Sequence, residues 1–108
     1  MDQRIMTGIY MTGHRLFIDT AAFIAMAWSK DKNHERAVNF ISRVNNAVIQ
    51  ITTSFIVSEI YTFLRYKVNY YTAMRFLESI IKADNADYLQ IVYSSREIER
   101  KAYKILKE

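Results

Sequence analysis

Short apolar runs alternate along this chain with longer segments whose apolar residues recur at helical spacing. Leu16, Phe17 and Ile18 form a run that ends in Asp19, the pattern of a buried strand passing into a polar end. Thr20 to Trp28 then reads as a helix, and SKDKN as a loop in which Asp31 or Asn33 can cap the next one. That next helix places Ala37, Val38, Ile41 and Val44 on one stripe and stops at Asn45-Asn46. Val48 to Thr53 is mostly β-branched and predicts a second strand, with Thr53-Ser54 at its polar end available to cap a third helix. The third helix puts Ile56, Ile60, Phe63 and Leu64 on its core side and runs to about Lys67. Asn69 separates it from a fourth, whose stripe is Tyr70, Ala73, Met74, Leu77, Ile80 and Ile81, with Arg75, Glu78 and Lys82 pointing away. Tyr88 to Tyr93 reads as a third strand, and Ser94-Ser95-Arg96-Glu97 as a capping box opening a last helix that buries Ile98, Ala102, Ile105 and Leu106.

The order strand, two helices, strand, two helices, strand, helix implies an α/β fold, a short parallel sheet with helices on both faces in three layers. Such sheets hold ligand chemistry at the carboxyl ends of their strands. Three strands make a narrow sheet, and the helix running to Glu108 has no strand returning after it. Punctuation comes from polar clusters, since there are two glycines and no proline. Both glycines lie in a repeated Met-Thr-Gly, at Met6 to Gly8 and Met11 to Gly13, which is either chance or a sign of a second start at Met11. Residues 1–13 show weak periodicity and are expected to form a poorly ordered extension of a single domain spanning 1–108.

Composition narrows the chemistry. At 108 residues, 51% hydrophobic and 24% charged, the chain suits one folded core, and no apolar run approaches the roughly 20 residues of a membrane-spanning helix. The first residues lack the apolar core and cleavage site of a secretory signal, so a cytoplasmic, non-membrane protein is expected. Without cysteine there is no disulfide, thiolate metal site or cysteine nucleophile, and His14 and His34, twenty positions apart, make zinc a poor fit. The net charge of +4 is spread among alternating signs, which permits a polyanionic partner without demonstrating one.

Two carboxylates stand out. Asp19 follows the first strand at the edge where open parallel sheets bind ligands; it also fits a helix N-cap, and its two oxygens allow both roles. Glu59 lies in the second turn of the third helix, at the border of the apolar stripe between Phe55, Tyr66 and Phe63, where partial desolvation is expected; the plainer alternative is an edge glutamate reaching water. If the first two strands are neighbours, both acids project over one rim. Two acids without a close basic partner in sequence then suggest an oxygen-only site for a hard cation such as Mg²⁺ or Mn²⁺. Thr20 and Ser54 can orient a metal-bound water or cap helices. His34 reads as a surface or capping residue, and the eight tyrosines fit half-buried positions as well as base stacking. No nucleophile elbow or glycine-rich phosphate loop is present, so no organic cofactor site is expected.

The stretch LFIDTAAFIAMAWSKDKNHERAVNFISRV, with ITTSFIVSEIYTFLR and LQIVYSSREIERKAYKIL after it, resembles PIN domains, particularly the VapC-like toxin ribonucleases of bacterial and archaeal toxin-antitoxin pairs. The likeness spans about Leu16 to Glu108 and is carried by Asp19 and Thr20, by His34 and Ala37, and by Thr53 to Glu59. It implies a Mg²⁺- or Mn²⁺-dependent endoribonuclease in which Asp19 and Glu59 match the family's first two acids. The implied substrate is RNA, and the implied associations are a homodimer and an antitoxin protein. The family's later acids and C-terminal strands fall beyond Glu108. Asp84 and Asp87 precede the third strand, at the wrong rim to replace them, and Glu97 and Glu99 fall early in the last helix. The alternative is a non-catalytic PIN-like remnant acting as a dimerisation or partner-binding module.

Overall fold

The computed structural model describes residues 3–44 and 47–93. In chain order the elements are β1 (Gln3–Met6), β2 (Ile9–Thr12), β3 (Arg15–Ile18), α1 (Thr20–Ala27), α2 (His34–Ser42), β4 (Ile49–Thr53), α3 (Ser54–Lys67), α4 (Tyr70–Asn85) and β5 (Leu89–Val92). The strands β3, β4 and β5 and all four helices between them follow the apolar patterning closely. The expected Asn45-Asn46 helix end, the capping box at Ser94 to Glu97 and the last helix lie outside the described residues.

The sheet has five strands in the order β1-β2-β3-β4-β5. Parallel pairing joins β3 to β4 and β4 to β5, whereas β1, β2 and β3 form an antiparallel meander. The sheet is therefore mixed, and residues 3–12, which sequence patterning had assigned to an extension before the domain, form its first two strands. The repeated Met-Thr-Gly supplies the reason: Gly8 (φ 85°) and Gly13 (φ 58°) take left-handed backbone at the two tight turns of the meander. Few residues other than glycine occupy that region at low cost. Four-residue strands give too few alternations to register as periodicity.

Sequential strand order with right-handed crossovers puts both helix pairs on one face of the sheet. In agreement, α1 packs on α2 and α3, and α3 on α4. Leu16, Ile18, Thr52 and Leu89 point into this layer and are buried, meeting Ala22, Phe23, Ile60, Leu64, Ala73 and Phe76 from the helices. Phe23 of α1 meets Phe76 of α4 edge-on with ring centroids 5.8 Å apart, and Trp28 meets Phe63 of α3 in the same way at 6.0 Å. These contacts fix α1 against α3 and α4, and so fix the relative positions of the residues at their N-terminal ends.

Two stripes are rotated from expectation. On α4 the buried arc is Ala73, Phe76 and Ile80, with Met74 and Leu77 half-buried, while Tyr70 and Ile81 are exposed at 58% and 56%. Counting apolar residues alone weights Tyr70 and Ile81 equally with Phe76, but the sheet and α3 determine which arc is covered. On α2, Ala37 is buried, Ile41 is half-buried and Val38 is exposed.

Candidate metal centre

Asp19 is the N-cap of α1. Its extended backbone leaves β3, and its Oδ1 accepts from the Ala21 amide at 3.1 Å. The position is set by hydrogen bonds to the β1–β2 turn and from β4. The Asp19 amide donates to the Gly8 carbonyl at 2.9 Å, and buried Thr52 on β4 donates from Oγ1 to the Ile18 carbonyl at 3.0 Å. On the other side, α3 is capped by Thr53, whose Oγ1 accepts from the Ile56 amide at 3.2 Å. The capping role thus falls one residue before Ser54, which is half-buried at the first position of α3. One turn and a half further along, Glu59 emerges at the border of the stripe of Ile56, Ile60 and Leu64, which the core holds.

Thr20 joins the two halves. Rather than capping, it donates from Oγ1 to Glu59 Oε1 at 2.5 Å, across 39 positions of sequence. Because Thr20 adjoins Asp19 in the chain, this bond brings Glu59 to the rim occupied by Asp19. Glu59 is exposed, which corrects the expected partial desolvation: Phe55 and Phe63 are half-buried, and Tyr66 faces solvent.

Burial is the main cause that raises the Asp19 carboxyl above its ordinary pKa. The amides of Ala21 and Ala22 and the positive charge of Arg4 pull it down, and the nearby Glu59 charge pushes it up. Arg4 was not legible as a partner from sequence, being fifteen positions away. The β1–β2 turn brings it close, with its guanidinium donating to Thr7 Oγ1 at 2.9 Å. Gly8 and Thr52 were also missed. The signal at Gly8 was its rarity, as one of two glycines, and a buried threonine at a strand end carries no comparable signal.

The donor set is wholly oxygen: two carboxylates and a hydroxyl. That set suits a hard divalent cation and disfavours zinc. Among the described residues, no cluster of three or more His, Cys, Asp or Glu side chains can hold a metal ion. Asp84 and Asp87 precede β5, which runs parallel to β3 and β4, so they sit at the opposite rim. Glu97 and Glu99 lie outside the described residues.

His34 has a structural role. Its Nδ1 lies 2.7 Å from the Ala25 carbonyl, one of the acceptors left over at the carboxyl end of α1. As a carbonyl only accepts, the ring donates from Nδ1. Replacing His34 with Ala should lower stability in urea by about 1 kcal/mol while leaving divalent-metal affinity unchanged. Loss of metal binding in that variant would place His34 in the site.

Among the described residues, no helix is long and apolar enough to cross a membrane. No family model matches the sequence. No curated protein matches it either. The fold does have a counterpart among solved structures: the crystal structure of VapC20 from Mycobacterium tuberculosis, described as a sarcin-ricin loop cleaving toxin, superposes with a TM-score of 0.66. The match is 15% identical, covers 85% of this chain and spans 66% of that one, just under two thirds of its length. The chain has the fold of a VapC-like PIN domain, as the resemblance over Leu16 to Glu108 implied.

Proposed function

We propose that this chain is an endoribonuclease of the PIN type, dependent on Mg²⁺ or Mn²⁺, with Asp19 and Glu59 as metal ligands and Thr20 as the residue that orients Glu59. The observation that carries the reading is the Thr20–Glu59 hydrogen bond, which gathers two acids forty positions apart to the carboxyl-end rim of β3 and β4. Asp19 and Glu59 would hold a divalent ion there, and the chemistry it would supply is activation of water and neutralisation of charge developing on a phosphate. The protein's own part is positional: the Ala21 amide orients the Asp19 carboxylate, and the Thr20 hydroxyl holds Glu59 Oε1 at the neighbouring position. RNA is the substrate class, and a toxin of a toxin-antitoxin pair, with a homodimer and an antitoxin as its associations, is the biological setting that the likeness to VapC20 supports.

Mn²⁺ titration followed by calorimetry tests the site. The wild type should bind one ion per chain, and Asp19→Asn and Glu59→Gln should each weaken binding by tenfold or more. Equal binding by all three proteins, or binding by none, removes the metal centre.

The absence of a third clustered acid among the described residues favours a second reading, a partner-binding module without catalysis. Under that reading the wild type binds RNA or a protein partner but leaves RNA intact in saturating Mn²⁺. Light scattering that shows a strict monomer counts against its dimeric form.

A further inference from the structure

The α3–α4 connection carries a concentration of charge and aromatic surface that the metal centre does not use. Between Glu59 and Glu78 the sequence holds Arg65, Lys67 and Arg75 and no acidic residue, whereas acids and bases alternate over most of the chain. The same segment places three large rings in solvent: Tyr66 is 79% exposed, Tyr70 58% and Tyr71 67%. Burial therefore does not explain these tyrosines, and Tyr70 lies outside the core stripe that sequence patterning had given it.

The cations are organised by the rings. The Arg65 guanidinium donates to the Tyr61 hydroxyl at 3.0 Å and sits 5.1 Å from the centre of the Tyr70 ring, so α3 and α4 are bridged by a stacked cation. The Arg75 guanidinium lies 5.7 Å from the Tyr71 ring centre one turn earlier on α4. Flat rings alternating with planar guanidinium groups in solvent suit a polyanion that itself carries flat rings. A basic patch alone would suit any anion, and exposed aromatics alone would suit an apolar partner. Unpaired nucleotides answer both features.

Helix geometry connects this surface to the acids. Glu59, Thr62 and Tyr66 are spaced at i, i+3 and i+7, which places them along one exposed side of α3. The rise from Glu59 to Tyr66 is about 10 Å. That is the span of about three stacked nucleotides at about 3.4 Å each. We infer that the α3–α4 connection is a binding platform for single-stranded RNA, on which bases stack against Tyr66 and Tyr70 while Arg65 and Lys67 meet the phosphates, feeding the strand along α3 toward Asp19 and Glu59. The Tyr71–Arg75 pair extends the platform along α4. The inference deepens the ribonuclease reading and rests on it for the direction of the strand, though the platform's affinity for RNA needs no metal.

The test measures anisotropy of a fluorescent twelve-nucleotide single-stranded RNA in EDTA, so that binding is read without cleavage. Tyr66→Ala and Tyr70→Ala should each weaken binding about tenfold, and Tyr66→Phe should retain it, because stacking needs the ring and not the hydroxyl. In Arg65→Gln/Lys67→Gln, the slope of log affinity against log salt should become shallower by about 1.4, from about 0.7 for each lost phosphate contact. Tyr66→Ala should bind Mn²⁺ like the wild type, which separates the platform from the metal centre. If Asp19→Asn leaves cleavage unchanged while the tyrosine variants lose RNA affinity, the platform stands and the metal assignment falls. If all tyrosine and basic variants bind RNA like the wild type, the platform is overturned whether or not the chain cleaves. Light scattering supplies the remaining control. A wild-type oligomer that Tyr66→Ala dissociates without loss of RNA affinity would make this surface a self-association interface and overturn the inference. Since Tyr66 is largely in solvent, its truncation leaves the core intact, and unchanged thermal melting verifies that.

Discussion

Gly8→Ala is expected to destabilise the protein by about 3 kcal/mol and to weaken divalent-metal binding, although Gly8 is neither an acid nor part of a helix. Two costs combine. A φ of 85° places an alanine in left-handed backbone, which costs about 1–2 kcal/mol. An added Cβ would also overlap Asp19 Oδ1 and come within 2.5 Å of the Ala22 amide nitrogen, in a place where backbone cannot yield, and such overpacking costs about 1–3 kcal/mol. The contact is forced because the Gly8 carbonyl accepts from the Asp19 amide at 2.9 Å, holding the turn against the first residues of α1.

Gly13 is the internal control. It shares the positive φ, at 58°, but a Cβ there meets nothing within 4 Å. Gly13→Ala should therefore carry only the backbone cost of about 1–2 kcal/mol and leave metal affinity alone. Urea unfolding and Mn²⁺ titration of both variants check the contrast. Equal, mild effects would mean that the β1–β2 turn does not press on Asp19 in solution. A turn released by Gly8→Ala should also expose residues 3–12 to proteolysis earlier than in the wild type.

The second large effect concerns Asp19 itself. On the proposed metal-dependent reading, Asp19→Asn should lower cleavage of a single-stranded RNA by at least about a hundredfold, since loss of a metal ligand would remove several kcal/mol of charge stabilisation. Its effect on stability runs the other way. Asparagine caps helices as well as aspartate does, so the Ala21 amide keeps its acceptor. Burial raises the folded-state pKa of Asp19 above its unfolded value, and the Glu59 charge adds to the rise. A raised acid binds its proton more tightly in the folded state, so stability falls as pH climbs from the unfolded pKa through the folded one. At neutral pH the charged carboxylate thus opposes folding. In EDTA at pH 7 the Asp19→Asn protein should be at least as stable as wild type, and its advantage should disappear in acid, where both side chains are neutral.

Mn²⁺ should then reverse the ranking, because an ion that binds only the folded state stabilises by about 2.7 kcal/mol at a hundred times its dissociation constant. Wild type should gain that increment and the variant should not. A variant clearly less stable than wild type in EDTA at pH 7 would show that Asp19 is needed as a structural cap, and would weaken the case for a desolvated metal ligand.

Much of this arrangement was readable residue by residue. Asp19 after an apolar run, Thr53 and Asn69 before helical stripes, and Glu59 in the second turn of its helix are local patterns. Each is produced by backbone hydrogen bonding within a few positions, and Asn69, legible only as the separator of the two helices, caps α4 by accepting from the Thr72 amide at 2.7 Å. His34 is a mixed case. Its place at a helix start was legible, but its bond to Ala25 depends on how α2 folds back on α1.

The sequence by itself determined the strands β3 to β5, the four helices between them and the placement of two acids at strand-to-helix and helix positions, because apolar periodicity and capping chemistry act over short stretches of chain. Tertiary structure alone decided the rest. It turned two glycine-punctuated segments into sheet strands, rotated α4 to bury Phe76 in place of Tyr70, and brought Arg4 and Gly8 to Asp19 and Thr20 to Glu59. Those outcomes depend on which surfaces meet when distant segments close on one another, and no window of a few residues contains that information.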